Sequence, residues 1–340
     1  MAEQKKVRLT SGELSQLWIQ FMNDSASICL LSYFLNKVED AEIKPIIEYS
    51  LKLSNDHVNK ITSIFTEENS AIPHGFKIDE DVELNAPRLF SDSYVLYFIH
   101  KMAKIGLTAY SMSLSVAVRS DITSYYKECM TESMDLYEKS KDVLLEKGLY
   151  TRSPYISYPK NVGYVKKQGF MLDFIGDKRP LTALEITNLY SNIQRNALGI
   201  ATLIGFCQVA TSKDVTNFIT KGIEIAKKHI EECALKLKES NIPAPLTWDS
   251  EVTDSTEYTL SEKIIMFYTA ALIAMSIGYY GFSVTSSPRV DLERMYNSFI
   301  SDIQRFAEDG ANIMIKNSWL EEPPSSVDRD ELARKNYNEK

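Results

Sequence analysis

Residues 9–36 read LTSGELSQLWIQFMNDSASICLLSYFLN, and residues 181–208 read LTALEITNLYSNIQRNALGIATLIGFCQ. With a shift of 172, Leu9-Thr10 pairs with Leu181-Thr182, Glu13 with Glu185, Leu17 with Leu189, Ile28 with Ile200, Leu31 with Leu203 and Phe34 with Phe206. The register continues without a gap through Ile47/Ile219, His57/His229, Glu67/Glu239, Asn69/Asn241 and Pro73/Pro245. That is 12 identities over residues 9–76, where random pairing gives roughly 4, so the chain is a tandem duplication. Further on the shift becomes 170, pairing Arg119 with Arg289, Asp121 with Asp291, Tyr126 with Tyr296, Glu138 with Glu308 and Pro154 with Pro324.

Each half reads as four helices. The first spans about Ser11 to Asn36, with Leu14, Leu17, Phe21, Ile28, Leu31 and Leu35 at three- and four-residue spacing. The second begins near Ala41, tolerates Pro45 in its first turn and ends near Glu68; the third covers Asp92 to Val118; the fourth runs from Asp121 to Glu146, with Gly148 as its stop. Short links make the first and second helices, and the third and fourth, antiparallel hairpins. The link between the second and third is long, HGFKIDEDVELNAPRLFS in one half and LTWDSEVTDSTEYTLS in the other. It can run the length of a bundle and start the third helix parallel to the second. The expected fold is therefore all-α: a tandem duplication of a ferritin-like up-down-down-up four-helix bundle. Its domains are residues 1–150 and 181–324, joined by a proline-containing segment at 151–180 and followed by a charged tail at 325–340.

A net charge of -8 and a pI near 5.3, with no dense Lys/Arg stripe, exclude nucleic acid as an expected partner. Cys29, Cys129, Cys207 and Cys233 all fall in helical stretches and form no CxxC, so they read as core residues in a reducing compartment. The start MAEQKKVRLT has no apolar signal region, which makes a cytoplasmic location the expectation. Ile264 to Pro288 carries no charge and is long enough to span a membrane. The corresponding helix of the first half carries His100, Lys101 and Lys104, so a helix buried in protein is expected instead, with no membrane span.

The segments LNAPRLFSDS, WDSEVTDST and EDGANIMI, with the duplication itself, resemble the tandem ferritin-like proteins of unknown function found in spore-forming bacilli, distant kin of spore coat protein F. The resemblance covers nearly the whole chain. It implies the fold and an association with spores, and brings no catalytic residues.

Di-iron bundles require Glu-x-x-His pairs. Ser54 stands three residues before His57 and Ala226 three before His229, which disfavours ferritin-type iron oxidation. Glu13 and Glu185 each follow a threonine by three residues, a capping box rather than a ligand pair. His57 and His229 occupy core positions of their second helices. Antiparallel pairing sets His57 level with Asp24 and His229 level with Asn196, and Asp24 and Asn196 interrupt the apolar series Phe21–Ile28 and Ile193–Ile200. Buried polar groups need partners, so His57–Asp24 and His229–Asn196 contacts are expected. They act either as structural pairs or as one side of a small metal or ligand site completed by Glu132 in the first half and Asp302 in the second. Gly106 and Gly278 coincide in the third helices and read as close helix packing, while Asp79, Glu80, Asp81 and Glu83 read as a solvated loop.

No Walker loop, GxSxG, HExxH or EF-hand pattern occurs. The leading expectation is a non-enzymatic protein that works by binding or assembly, with a protein partner or self-association and without a cofactor. One rival is a metal-binding or oxidoreductase-like protein with a single metal ion in a degenerate ferritin-type centre. Another is a small-ligand carrier lined by Tyr110, Tyr279 and Tyr280.

Overall fold

The structure is a computed structural model that describes residues 7–166, 170, 179–245, 249–330 and 334. Most of the inter-domain segment beyond residue 166, crossover residues 246–248 and most of the tail from 331 onward lie outside the described residues. Among the described residues the chain is all-α and built as two repeats. The first half contains α1 (Ser11–Lys37), α2 (Lys44–Glu67), a single turn α3 (Ile78–Asp81), α4 (Asp92–Val116) and α5 (Ser120–Glu146). The second contains α6 (Ala183–Val209), α7 (Lys213–Glu239), α8 (Glu262–Ser286) and α9 (Val290–Lys316).

Local chemistry sets these boundaries. Thr10 with Glu13, and Thr182 with Glu185, form capping boxes at α1 and α6, while Ser91 and Ser261 cap α4 and α8 through Tyr94 N and Ile264 N. The repeated Asn69 and Asn241 adopt φ 52° and 55°, the left-handed conformation that ends a helix; Gly148 does the same after α5 at 67°. Ser113 donates to Gln16 at 2.8 Å, and Asp40 N donates to Asp92 at 2.8 Å, so α1 and α4 run antiparallel. The first half has its own apolar cluster around Leu17, Ile61, Phe65, Ile122 and Tyr126; a larger core runs through both halves.

The crossovers hold the halves together. Val82 bridges Leu260 and Phe90 bridges Val252, both antiparallel. Glu83 N donates to Thr259 O at 2.9 Å, and Thr253 N to Leu89 O at 3.0 Å. Ser261 N donates to Asp81 O at 2.8 Å, and Ser91 N to Glu251 O at 2.9 Å. The Ser261 and Ser91 hydroxyls bond the Asp81 and Glu251 carboxylates respectively. Adding 170 to the first-half residue of each contact gives the second-half residue of its twin, so the interface has internal two-fold symmetry like that of an isologous dimer.

Three expectations are corrected. Asp81 is not solvated: it is 3% exposed and serves the interface, which a loop read from charge alone does not reveal. Gly106 and Gly278 are not equivalent, because α4 and α8 align with the shift of 170. A Cβ on Gly106 would strike Ser133, whereas nothing lies within 4 Å of one on Gly278. The uncharged run is a helix, α8, long and apolar enough to cross a membrane, but only 39% of its apolar window is buried. One side packs on α6, α7 and α9, and the other leaves Tyr279 and Phe282 exposed.

Glu13 links two helix starts. Its carboxylate accepts from Thr10 N (2.8 Å), Thr10 Oγ1 (2.9 Å), Val118 N (2.9 Å) and Arg119 N (2.7 Å). Burial raises its pKa, yet the N–H bonds from Arg119, Thr10 and Val118 prevail and bring it from 4.5 to about 2. Glu13→Ala should cost on the order of 1 kcal/mol or more in urea denaturation, since it leaves four part-buried donors without their acceptor. In the parent the contribution is present above pH 4.5 and is lost as pH falls through about 2. A variant as stable as the parent at pH 7 would contradict this account.

Candidate metal centre

Four helices of the first half converge on one buried imidazole. His57 on α2 faces Asp24 on α1, with Nδ1 3.1 Å from Oδ2, and Glu132 on α5, with Nε2 2.9 Å from Oε2. His57 and Asp24 are buried, and Glu132 is partly buried. Cys129 lies one turn before Glu132, on the same face of α5. One ligand atom each from His57, Cys129 and Glu132 fall within 4.8 Å of one another. Tyr110 of α4 brings its hydroxyl 3.4 Å from His57 Nδ1, and the Tyr110 and Tyr125 rings stand edge-on to the imidazole. Gln20 Nε2 closes the cluster, 3.4 Å from Tyr110 OH and 3.8 Å from Cys129 Sγ. Within it, Gln20 Oε1 and Tyr125 OH are buried without a hydrogen-bond partner.

The second half repeats the scaffold with a different filling. Asn196 does not touch His229 directly; both meet at the Tyr280 hydroxyl, 3.0 Å from His229 Nδ1 and 2.9 Å from Asn196 Nδ2. Asp302 stands 3.6 Å from His229 Nε2, too far for a hydrogen bond, and is engaged by Lys228 at 2.8 Å and Arg305 at 2.7 Å. Phe299 replaces Cys129, and its ring stacks on His229 with centroids 3.9 Å apart. The two imidazoles consequently differ in charge. Burial opposes charge on His57, but its bonds to Asp24, Cys129 and Glu132 outweigh it and raise the pKa to about 12. For His229 burial prevails over Asp302 and lowers the pKa to about 4.

A family model described as "Protein of unknown function (DUF3231)" matches residues 1–162 and again residues 169–332. The chain belongs to this family. It contains two copies of the family's unit. No curated protein matches the chain. A solved structure from Bacillus halodurans C-125, of a protein provisionally assigned to the spore coat, is 17% identical, covers 46% of this chain and 100% of its own, and superposes with a TM-score of 0.40.

Sequence reasoning brought Asp24, His57 and Glu132 together and missed two members of the cluster. Cys129 was read as a core thiol, although the Cys-x-x-Glu spacing on α5 puts both side chains on one face. Tyr110 was read as a cavity wall, although the 170 shift pairs it with Tyr280 opposite the other histidine.

In metal-free protein, ring-nitrogen NMR should show His57 still doubly protonated at pH 9, and His229 neutral down to about pH 5. The His57 interaction stabilises the fold fully below the unfolded value of 6.5 and is lost as pH rises towards about 12. The stability gap between parent and His57→Gln should therefore narrow from pH 7 to pH 10. Titration of His57 near 6.5 would contradict this assignment.

Proposed function

We propose that the chain is a metal-binding member of its family, holding one divalent ion of the zinc type in the first half. The observation that carries this is the convergence of a His57 ring nitrogen, a Glu132 carboxylate oxygen and the Cys129 thiol within 4.8 Å of one another, beside buried, unpartnered polar atoms. Imidazole, thiolate and carboxylate together suit zinc or cobalt(II). Asp24 would hold Nδ1–H, fixing the tautomer that leaves Nε2 free for the ion. The donors do not fit a di-iron centre: one carboxylate lies on the Nε2 side and no Glu-x-x-His pair is present.

We further infer that each half is a ferritin-like bundle of up-down-down-up order, so the centre is a degenerate form of that scaffold's metal position. The antiparallel α1/α4 pairing and the packing of α1 on α2 and α4, and of α5 on α2 and α4, support this order. The second half supports the functional reading over a purely structural one. The same fold there is completed by Phe299 and a neutral His229, so the fold alone does not require the first set of polar groups.

Cobalt(II) titrated into chelator-treated full-length chain should bind at one ion per chain, give a thiolate charge-transfer band, and bind more tightly as pH rises, because the metal displaces the His57 proton. Cys129→Ser should remove the band, and His57→Gln should weaken binding. Unchanged binding in both variants, or two ions per chain, would refute the centre.

A further inference from the structure

An extended arm leaves the first half at the seam where α4 meets α6. Tyr94 OH to Thr202 Oγ1 at 2.7 Å ties those helices together, and the arm is rooted beside them: Thr151 N donates to Tyr97 OH at 3.3 Å, and Gln194 Nε2 donates to Thr151 O at 3.4 Å. From Arg152 to Lys166 the arm belongs to no helix or strand. Tyr155, Tyr158 and Tyr164 are 90%, 92% and 83% exposed, and Ile156, Val162 and Val165 are exposed with them. A connection between bundles does not need bulky apolar side chains held in water, and their clustering marks a contact surface. The charges of the arm are Arg152, Lys160 and Lys166, and no acid occurs from Lys147 to Leu172.

The open face of α8 adjoins the root of this arm. Arg195, next to Gln194 on α6, stands 4.6 Å from the ring centre of Tyr279, and Tyr279 and Phe282 are exposed. Lys104 of α4 lies on the other side of the root, 6.0 Å from the ring centre of Tyr150. No acid occurs from Lys263 to Val290. Two exposed apolar surfaces, both free of acids and flanked by cations, thus meet on a chain whose net charge is -8.

The duplication supplies a comparison. With the shift of 170, Tyr155, Ile156, Tyr158 and Lys160 correspond to Ser325, Ser326, Asp328 and Asp330, and Tyr279 and Phe282 correspond to Ala109 and Met112. The fold therefore requires neither the rings nor the positive charge at these positions.

We propose that the arm and the open face of α8 form a peripheral binding surface for an anionic lipid bilayer. The tyrosines and aliphatic side chains settle at headgroup level, Arg152, Lys160 and Lys166 meet lipid phosphates, and the uncharged face of α8 rests on the membrane without crossing it. Charge selects this partner, since a basic, acid-free patch on an acidic chain fits an anionic surface. A bilayer also receives an irregular arm without the shaped pockets that a protein partner would need. The surface shares no residue with the His57 centre and stands independently of the metal reading.

Chelator-treated full-length chain can be sedimented with vesicles of phosphatidylcholine alone or of phosphatidylcholine mixed with phosphatidylglycerol. It should partition onto the mixed vesicles, more weakly onto phosphatidylcholine, and less as salt is raised. Lys160→Gln should weaken partition about fivefold, the share of one basic residue near an anionic surface. Tyr155→Ser combined with Tyr158→Ser, and separately Phe282→Ser, should each weaken it about tenfold. Without vesicles these variants should melt with the parent, because the side chains they change are exposed. No binding to the mixed vesicles, binding indifferent to salt and lipid charge, or variants that bind like the parent would overturn the proposal. So would a dimer in vesicle-free solution that the paired tyrosine variant dissociates, which would assign the surface to a second copy of the chain.

Discussion

The arrangement of the molecule depends on backbone pairing between its two crossovers. A link of this length lying across helices carries N–H and C=O groups that must find partners. In this chain each crossover supplies them to the other, through Glu83 N to Thr259 O and Thr253 N to Leu89 O. The pairing also buries Leu89, Phe90 and Leu260. Ser91 and Ser261 carry the constraint into the helices, because each hydroxyl accepts from the first turn of its own helix and donates to an acid of the other half. The starts of α4 and α8 are therefore fixed by the interface, and with them the heights of Tyr110 and Tyr280 opposite the two histidines.

Duplication lets one half retain chemistry that the other has abandoned. The replacements of Asp24 by Asn196 and Cys129 by Phe299 act together: the first removes the anion that holds charge on the imidazole, and the second fills the thiol's space with a ring stacked on it. Together they leave a neutral imidazole packed against an aromatic ring. In the first half the imidazole bridges carboxylates from two helices, and removing either acid leaves buried charge uncompensated.

The parts of this structure legible from sequence were those that recur under the shift. Helix limits, capping boxes and the His57–Asp24 contact follow from periodicity and from polar residues interrupting apolar series at matched heights. The parts that were not legible depend on side chains meeting across elements. Asp81 looks like one acid among several until Ser261 of the other half reaches it. Cys129 looks like core until Glu132 on the same face meets His57. The His229–Asn196 expectation had the right height but the wrong partner, because Tyr280 stands between them and bonds both. The expectation for α8 was drawn from the charged residues of its first-half counterpart, which say nothing about what covers α8 itself; one face of the helix is open, with Tyr279 and Phe282 exposed.

The protein handles buried charge in two different ways. At His57 the compensation is internal: carboxylates surround the cation, so an ion must compete with a proton for Nε2. At the α4–α6 seam no described acid pairs with Lys101, Lys104 or Arg195, and the aromatic rings of Tyr137, Tyr150, Tyr279 and Tyr280 face two of these cations instead. The seam also joins elements from both halves, since Lys101 comes from the first and Arg195 from the second.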